Sequence, residues 1–146
     1  MITGLLFSIM AGIVIAVQSV FSARLGEQVG FYGANFLIHG TGFLLAMFLL
    51  LLFGKGELSM ASLKELNPIY ATAGFIGVVI IFSIAQSVSR LGASRGVLII
   101  VITQIVFALV INIGGWFGEQ QISITPAKGI GLLLMICGII IYQVAR

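Results

Sequence analysis

A run of about twenty mostly apolar residues lies in the second half of the chain, between Leu91 and Trp116. Within its apolar part, the clearly polar side chains are Thr103, Gln104 and Asn112. At roughly 1.5 Å per residue, such a helix is about 30 Å long, which matches the hydrocarbon core of a bilayer. The run can therefore cross a membrane as one helix, and its amides must find partners away from lipid.

Composition extends this conclusion to the whole chain. Of 146 residues, 60% are hydrophobic and 8% are charged, whereas soluble domains average about 25% charged residues. Because such a chain cannot cover a water-facing surface, the sequence predicts an integral membrane protein whose surroundings are the lipid bilayer. The net charge of +3 comes from basic residues scattered at segment ends, which does not indicate a nucleic-acid partner.

Four other apolar segments also have spanning length, which predicts five helices in a single transmembrane domain that covers residues 1–146. The predicted helices lie at about 2–21, 34–53, 69–88, 96–116 and 127–144. Asn67-Pro68 and Thr125-Pro126 each place a capping side chain before a proline, a helix-start signal. The predicted fold class is all-α, a polytopic membrane helix bundle. Strands of a β-barrel would be about half as long and would alternate polar and apolar residues.

The basic residues do not decide the orientation of the chain. Five spans put the termini on opposite sides, so the two faces can be compared for lysine and arginine. The N-terminal face has three and the other has four: Lys55, Lys64 and Lys128 against Arg24, Arg90, Arg95 and Arg146. Two interpretations stay open. In dual topology, copies insert both ways and pair antiparallel; otherwise one orientation is fixed, with a mild preference for N-terminus out.

Each of the first four predicted helices carries a polar stripe. For example, Tyr32, Asn35 and His39 share one face of the second helix, although an aromatic belt at the membrane surface also explains Tyr32. Such side chains can simply bond helices together, and a lone histidine can be a packing residue. Four stripes nevertheless favour a shared polar cavity. Its candidate lining residues, with Trp116 as an aromatic wall, are Gln18, Asn35, His39, Gln86, Gln104, Asn112 and Trp116.

The acidic residues argue against an enzyme. The sequence contains no aspartate, and its four glutamates lie outside the apolar segments. We find no paired acid and base, no nucleophile with its base, no metal cluster and no phosphate-binding loop. The sequence therefore predicts no catalysis, no cofactor and no metal, and it offers no carboxylate within a span for proton coupling.

Several short features occur in an order and spacing that match one known family. They are Gln18, Ala73-Gly74-x-x-Gly77, Arg90-Leu91-Gly92-Ala93, Gln104, then INIGGWFGE and finally KGIGLLLMICGIIIY. By these features the chain resembles the small YdcZ-type branch of the drug/metabolite transporter (DMT) superfamily across nearly its whole length. Asn112 stands where this family is expected to have an aspartate, and Thr103 where a glycine usually precedes the glutamine. The missing carboxylate weakens any inference of a cation or proton site there.

The resemblance implies a multi-pass protein of the cell's inner membrane that transports a small organic solute. Such chains resemble half of a ten-helix transporter whose halves are inverted repeats. A five-helix half then needs a partner, either an antiparallel copy of itself or a paired paralogue. A non-transporting accessory membrane subunit is the alternative from another class. Because the expected cavity has no fixed acid, a neutral or amphiphilic solute is favoured over a strongly cationic one.

Overall fold

The computed structural model describes residues 2–54 and 58–145. In chain order its helices are α1 (Ile2–Val29), α2 (Phe31–Phe53), α3 (Met60–Glu65), α4 (Pro68–Ala71), α5 (Ala73–Leu91), α6 (Ala93–Gly114) and α7 (Pro126–Val144). A 3-10 turn at Trp116–Gly118 follows α6. Lys55 and Arg146, which were counted for orientation, lie outside the described residues.

Five helical segments are long and apolar enough to cross a membrane, within the part of the chain that the structure describes. Four of them are α1, α2, α6 and α7, and the fifth joins α4 and α5 into one span over Pro68–Leu91. The described ranges contain no strand. The predicted fold class, an all-α polytopic membrane protein with five spans, is confirmed.

Both proline-based helix starts are also confirmed. The side chain of Asn67 accepts a hydrogen bond from the backbone N–H of Ile69, and Pro68 opens the span. The Thr125 hydroxyl accepts from the backbone N–H of Lys128 in the same way, and Pro126 opens α7. In each case the cap satisfies an N–H group that the first helical turn leaves without a partner.

The chain forms two compact units, the N-terminal unit Met1–Arg90 and the C-terminal unit Leu91–Arg146. In the N-terminal unit, α1 and α2 pack as a hairpin whose buried residues are small ones near the connection. These residues are Ser19, Ser22, Ala23, Gly26, Ala34 and Asn35. The large apolar side chains of α1 and α2 face outward instead. This arrangement suits a membrane, where small residues let helices approach and lipid covers the apolar surface.

Helix α1 continues to Val29, whereas the apolar pattern predicts an end at about residue 21. The extension is polar, and Arg24 donates to Glu27 over 3.0 Å one turn later. Gly26 lies against the ring of Phe31, since a Cβ atom there would come within 2.5 Å of that ring. The apolar run marks where the helix leaves lipid, but its backbone hydrogen bonds continue beyond that point.

A single glycine connects α1 to α2. Gly30 has φ 78° and ψ 151°, a combination that side chains other than hydrogen exclude almost completely. Gly92 has nearly the same conformation, φ 81° and ψ 160°, directly before α6. Each glycine thus ends one long helix and begins the next within one residue.

In the C-terminal unit, α6 packs against α7 and is closed by a compact turn. The hydroxyls of Ser94 and Tyr142 lie 2.7 Å apart and link the two helices. At the other end of α6, Gly115 is left-handed (φ 62°), and so is Phe117 (φ 60°). The backbone N–H of Ile122 then donates to the carbonyl oxygen of Asn112 over 3.1 Å, which holds the following loop against the helix end.

We predict that Gly30→Ala lowers the thermal stability of the purified protein, by about 1–3 kcal/mol in free energy of unfolding, because alanine is strained at this φ and ψ. The measurement is thermal unfolding in detergent followed by circular dichroism. Gly4→Ala is the matched control, since Gly4 lies within α1 and has no atom within 4 Å of an added Cβ. Equal stability of the two variants would contradict the importance of this conformation.

Candidate functional site

Asn35 is the most buried of the predicted site residues, with 7% of its surface exposed. Its Nδ2 donates a hydrogen bond of 2.8 Å to the backbone carbonyl of Val78 in α5. Because a carbonyl oxygen can only accept, this bond fixes which end of the carboxamide faces α5. The opposite end, Oδ1, is buried and has no hydrogen-bond partner among the described residues. An unpaired buried acceptor costs about 1–3 kcal/mol.

His39 lies one turn further along α2, and its Nδ1 is 3.0 Å from the backbone carbonyl oxygen of Asn35. The carbonyl oxygen accepts, so Nδ1 carries the hydrogen, and in this tautomer Nε2 keeps a lone pair. Nε2 lies 3.5 Å from where a Cβ atom on Gly77 would stand. This is an ordinary van der Waals distance, so the imidazole lies directly beside Gly77 of α5.

Asn35 and His39 line one open cavity of about 490 Å³, which we name the α2 cavity. Its lining residues are Tyr32, Asn35, Phe36, His39, Gly40, Phe43 and Val78. The Tyr32 ring packs against that of Phe82 with centroids 5.2 Å apart. Three polar side chains therefore meet an otherwise apolar and largely aromatic wall, which is the usual composition of a site for a small organic molecule.

Asn112 lines a different cavity, of about 430 Å³, within the C-terminal unit. It lies there between α6 and α7 with Lys128, which belongs to the first turn of α7. The remaining lining residues are apolar, for example Leu109 and Met135. This cavity combines a carboxamide with a cationic side chain and so differs in chemistry from the α2 cavity.

The predicted site glutamines have three different surroundings. Gln18 and Gln104 are exposed, and the side chain of neither has a hydrogen-bond partner among the described residues of its own unit. Gln86 is half-buried, and its Oε1 accepts a hydrogen bond of 3.1 Å from Nε of Arg90. Gln86 therefore already has a partner one turn away, whereas the other two carboxamides project from spanning helices unpaired.

Trp116 is half exposed, at 51%, and its indole folds back over the end of α6. An added Cβ atom on Gly114 would come within 2.6 Å of the indole Nε1. The left-handed Gly115 between them turns the chain so that the ring reaches this position. Gly114 therefore makes room for Trp116 through its lack of a side chain.

The structure thus brings together two of the predicted residues, Asn35 and His39, and adds groups that sequence reasoning had not placed with them. Tyr32 was explained by an aromatic belt, although its spacing from Asn35 and His39 did indicate a common face. Lys128 was considered only for orientation. The carbonyl of Val78 carries no side-chain signature, so no sequence pattern could have identified it.

These features define a class, the polytopic α-helical membrane proteins that hold polar groups within apolar spans. Residues 3–141 match the family described as "Putative inner membrane exporter, YdcZ", of the DMT type. Because the match covers nearly the whole chain, the protein belongs to the YdcZ family, which confirms the resemblance seen in the sequence. It is a multi-pass inner membrane protein of a transporter family rather than of an enzyme family. Comparison with curated proteins and with solved structures gave no match.

We predict that Gly114→Ala displaces the Trp116 indole, because the new methyl group would overlap it. Trp116 is the single tryptophan, so its emission maximum and its quenching by acrylamide report the displacement directly. Gly129→Ala in α7 is the control, since an added Cβ there has no atom within 4 Å. Identical spectra for Gly114→Ala and the wild type would show that the indole does not rest on Gly114.

Proposed function

We propose that the protein carries a small, uncharged or amphiphilic organic solute across the inner membrane as an antiparallel dimer of five-helix halves. Membership of a DMT-type exporter family supports transport in general. The observation that carries the finer proposal is the exposure of Gln18 and Gln104 on spanning helices, without hydrogen-bond partners in their own units.

A carboxamide that faces hydrocarbon without partners is costly, because each unsatisfied polar group in lipid costs several kcal/mol. Gln18 and Gln104 therefore need either another protein surface or enclosed water beside them. A transport pathway at a subunit interface supplies both. The same reasoning applies to the half-buried Asn112, whose neighbours in its cavity are mostly apolar.

Two further features support a second copy in the opposite orientation. Three basic residues against four leave insertion almost undirected. Transporters of related design place their solute sites between repeats of inverted topology, and a five-helix chain supplies one such repeat. Helix α7 packs against α6 but has no buried residue within the described range, so part of its surface remains to contact a partner.

The proposed pathway is lined by residues from four spans of each copy. They are Gln18, Asn35, His39, Gln86, Gln104, Asn112 and Trp116. Uncharged hydrogen-bonding groups of this kind can exchange bonds between water and a solute as the two copies rock against each other. A strongly cationic solute would lack a carboxylate partner in such a pathway.

We predict that Gln104→Ala and Asn112→Ala each reduce protein-dependent flux by about three- to tenfold, as expected when a hydrogen bond to solute or water is lost. Flux is measured in sealed vesicles with a panel of neutral and amphiphilic solutes, and dimer content by size-exclusion chromatography in detergent. Thr103→Val is the matched control, because the Thr103 hydroxyl is already satisfied by the carbonyl of Ile99 at 2.8 Å. Wild-type flux in both alanine variants would assign the two amides to helix contacts.

The accessory-subunit alternative is separated from transport by water access to the same positions. Cysteines at 104 and 112, introduced after replacement of Cys137, should react with a membrane-impermeant thiol reagent if they border a wet pathway. A cysteine at Leu133, an exposed position in the apolar part of α7, is the control and should react slowly. Equal, slow reaction at all three positions would favour a dry helix bundle without transport.

We also predict that reporters fused to the C-terminus are active on both sides of the membrane. A phosphatase reports the outer side and a fluorescent protein the inner side, and near-balanced basic residues should allow both. Activity of one reporter alone would exclude dual topology. If both reporters are active, the molecular mass of the purified chain should be that of a homodimer. A monomer that pairs only with a co-expressed paralogue would instead support the heteromeric form.

A further inference from the structure

The α2 cavity is lined by two residues that each have a hydrogen-bond acceptor without a donor among the described residues. Oδ1 of Asn35 has no hydrogen-bond partner among the described residues, and the bond from Nδ2 to the carbonyl of Val78 identifies the free atom as the oxygen. Nε2 of His39 is the second acceptor, because Nδ1 is engaged with the carbonyl of Asn35. In both residues, the hydrogen bond that is made identifies the second polar atom of the side chain as an acceptor.

The two acceptors differ in accessibility. Asn35 Oδ1 is the buried unpaired side-chain atom among the described residues, whereas Nε2 of the half-buried His39 is not covered in this way. A ligand that enters the cavity therefore meets Nε2 first. A donor that also reaches the buried Oδ1 would relieve the cost of that unpaired acceptor.

The walls restrict the ligand further. Among the described residues, those that line this cavity include no aspartate, glutamate, lysine or arginine. A charged group would enter without a counterion, which is costly at membrane depth. Phe36, Phe43 and the ring of Tyr32 instead present apolar aromatic surface, which suits the body of an organic molecule.

We propose that the α2 cavity binds the uncharged N–H or O–H group of an aromatic or similarly apolar solute, with His39 Nε2 and then Asn35 Oδ1 as acceptors. This assignment rests on the proposed transport function, because it names the solute class for part of the same pathway. It makes a donor on the solute the basis of recognition, and it makes His39 a ligand-contacting residue rather than a packing residue.

The test compares two solutes of nearly equal shape, 2-naphthol, which has a donor, and 2-methoxynaphthalene, which has none. Binding to the full-length protein in lipid nanodiscs is measured by equilibrium dialysis, with empty nanodiscs as the blank. We expect saturable binding in the wild type and about three- to tenfold tighter binding of 2-naphthol, the range for one neutral hydrogen bond.

Two variants assign that preference to the cavity. His39→Phe keeps a ring while removing Nε2, and it leaves the bond from Asn35 to Val78 in place, so the preference for 2-naphthol should fall. Asn35→Leu should weaken the preference as well. Thr41→Val is the control on the same helix, since the Thr41 hydroxyl already donates to the carbonyl of Leu37 over 2.8 Å, and it should bind like the wild type.

Equal affinity for the two solutes in the wild type, or no saturable binding of either, would overturn the proposal without recourse to any variant. A preference that persists in both His39→Phe and Asn35→Leu would overturn it too. Failure of the transport function gives a different result, namely no protein-dependent flux in sealed vesicles while the donor preference in nanodiscs remains.

Discussion

A carboxamide within the hydrocarbon layer must find its hydrogen-bond partners in protein or in enclosed water, and the polar architecture of this chain follows from that requirement. The amide nitrogen of Asn35 finds such a partner in the backbone carbonyl of Val78, and this bond links α2 to α5. Its remaining acceptor is unpaired, and Gln18 and Gln104 are unpaired in their own units. These hydrogen-bonding groups therefore lack partners within their own units, and the proposed transport pathway would supply them.

The packing of the N-terminal unit reverses the pattern of a soluble protein. Its buried positions are mostly small, for example Ser22, Ala23 and Ala34, and most of its leucine and phenylalanine side chains point outward. Small residues permit close helix approach, and the imidazole of His39 lies beside Gly77 of α5. Small side chains therefore let the helices pack closely and also leave space for polar groups between them.

Sequence reasoning predicted the five spans and both proline-capped starts, because bilayer thickness and the chemistry of helix N-termini leave clear patterns. The end of α1 was less predictable, since helical hydrogen bonding outlasts the apolar run. Helical spacing also indicated that Asn35 and His39 share a face, and the structure places both in one cavity. The acceptor role of Val78 and the folded-back Trp116 depend on backbone geometry, which no periodicity encodes.

Gly30 connects α1 to α2 through one residue, and this restricts how the hairpin can deform. With so short a tether, the helices cannot slide along each other, so any relative movement is a swing about the joint. Its amplitude grows with distance, from almost nothing at Tyr32 to a maximum near Ile2 and Phe53. Contacts close to the joint, such as that between Gly26 and Phe31, would then persist while the far ends of α1 and α2 separate.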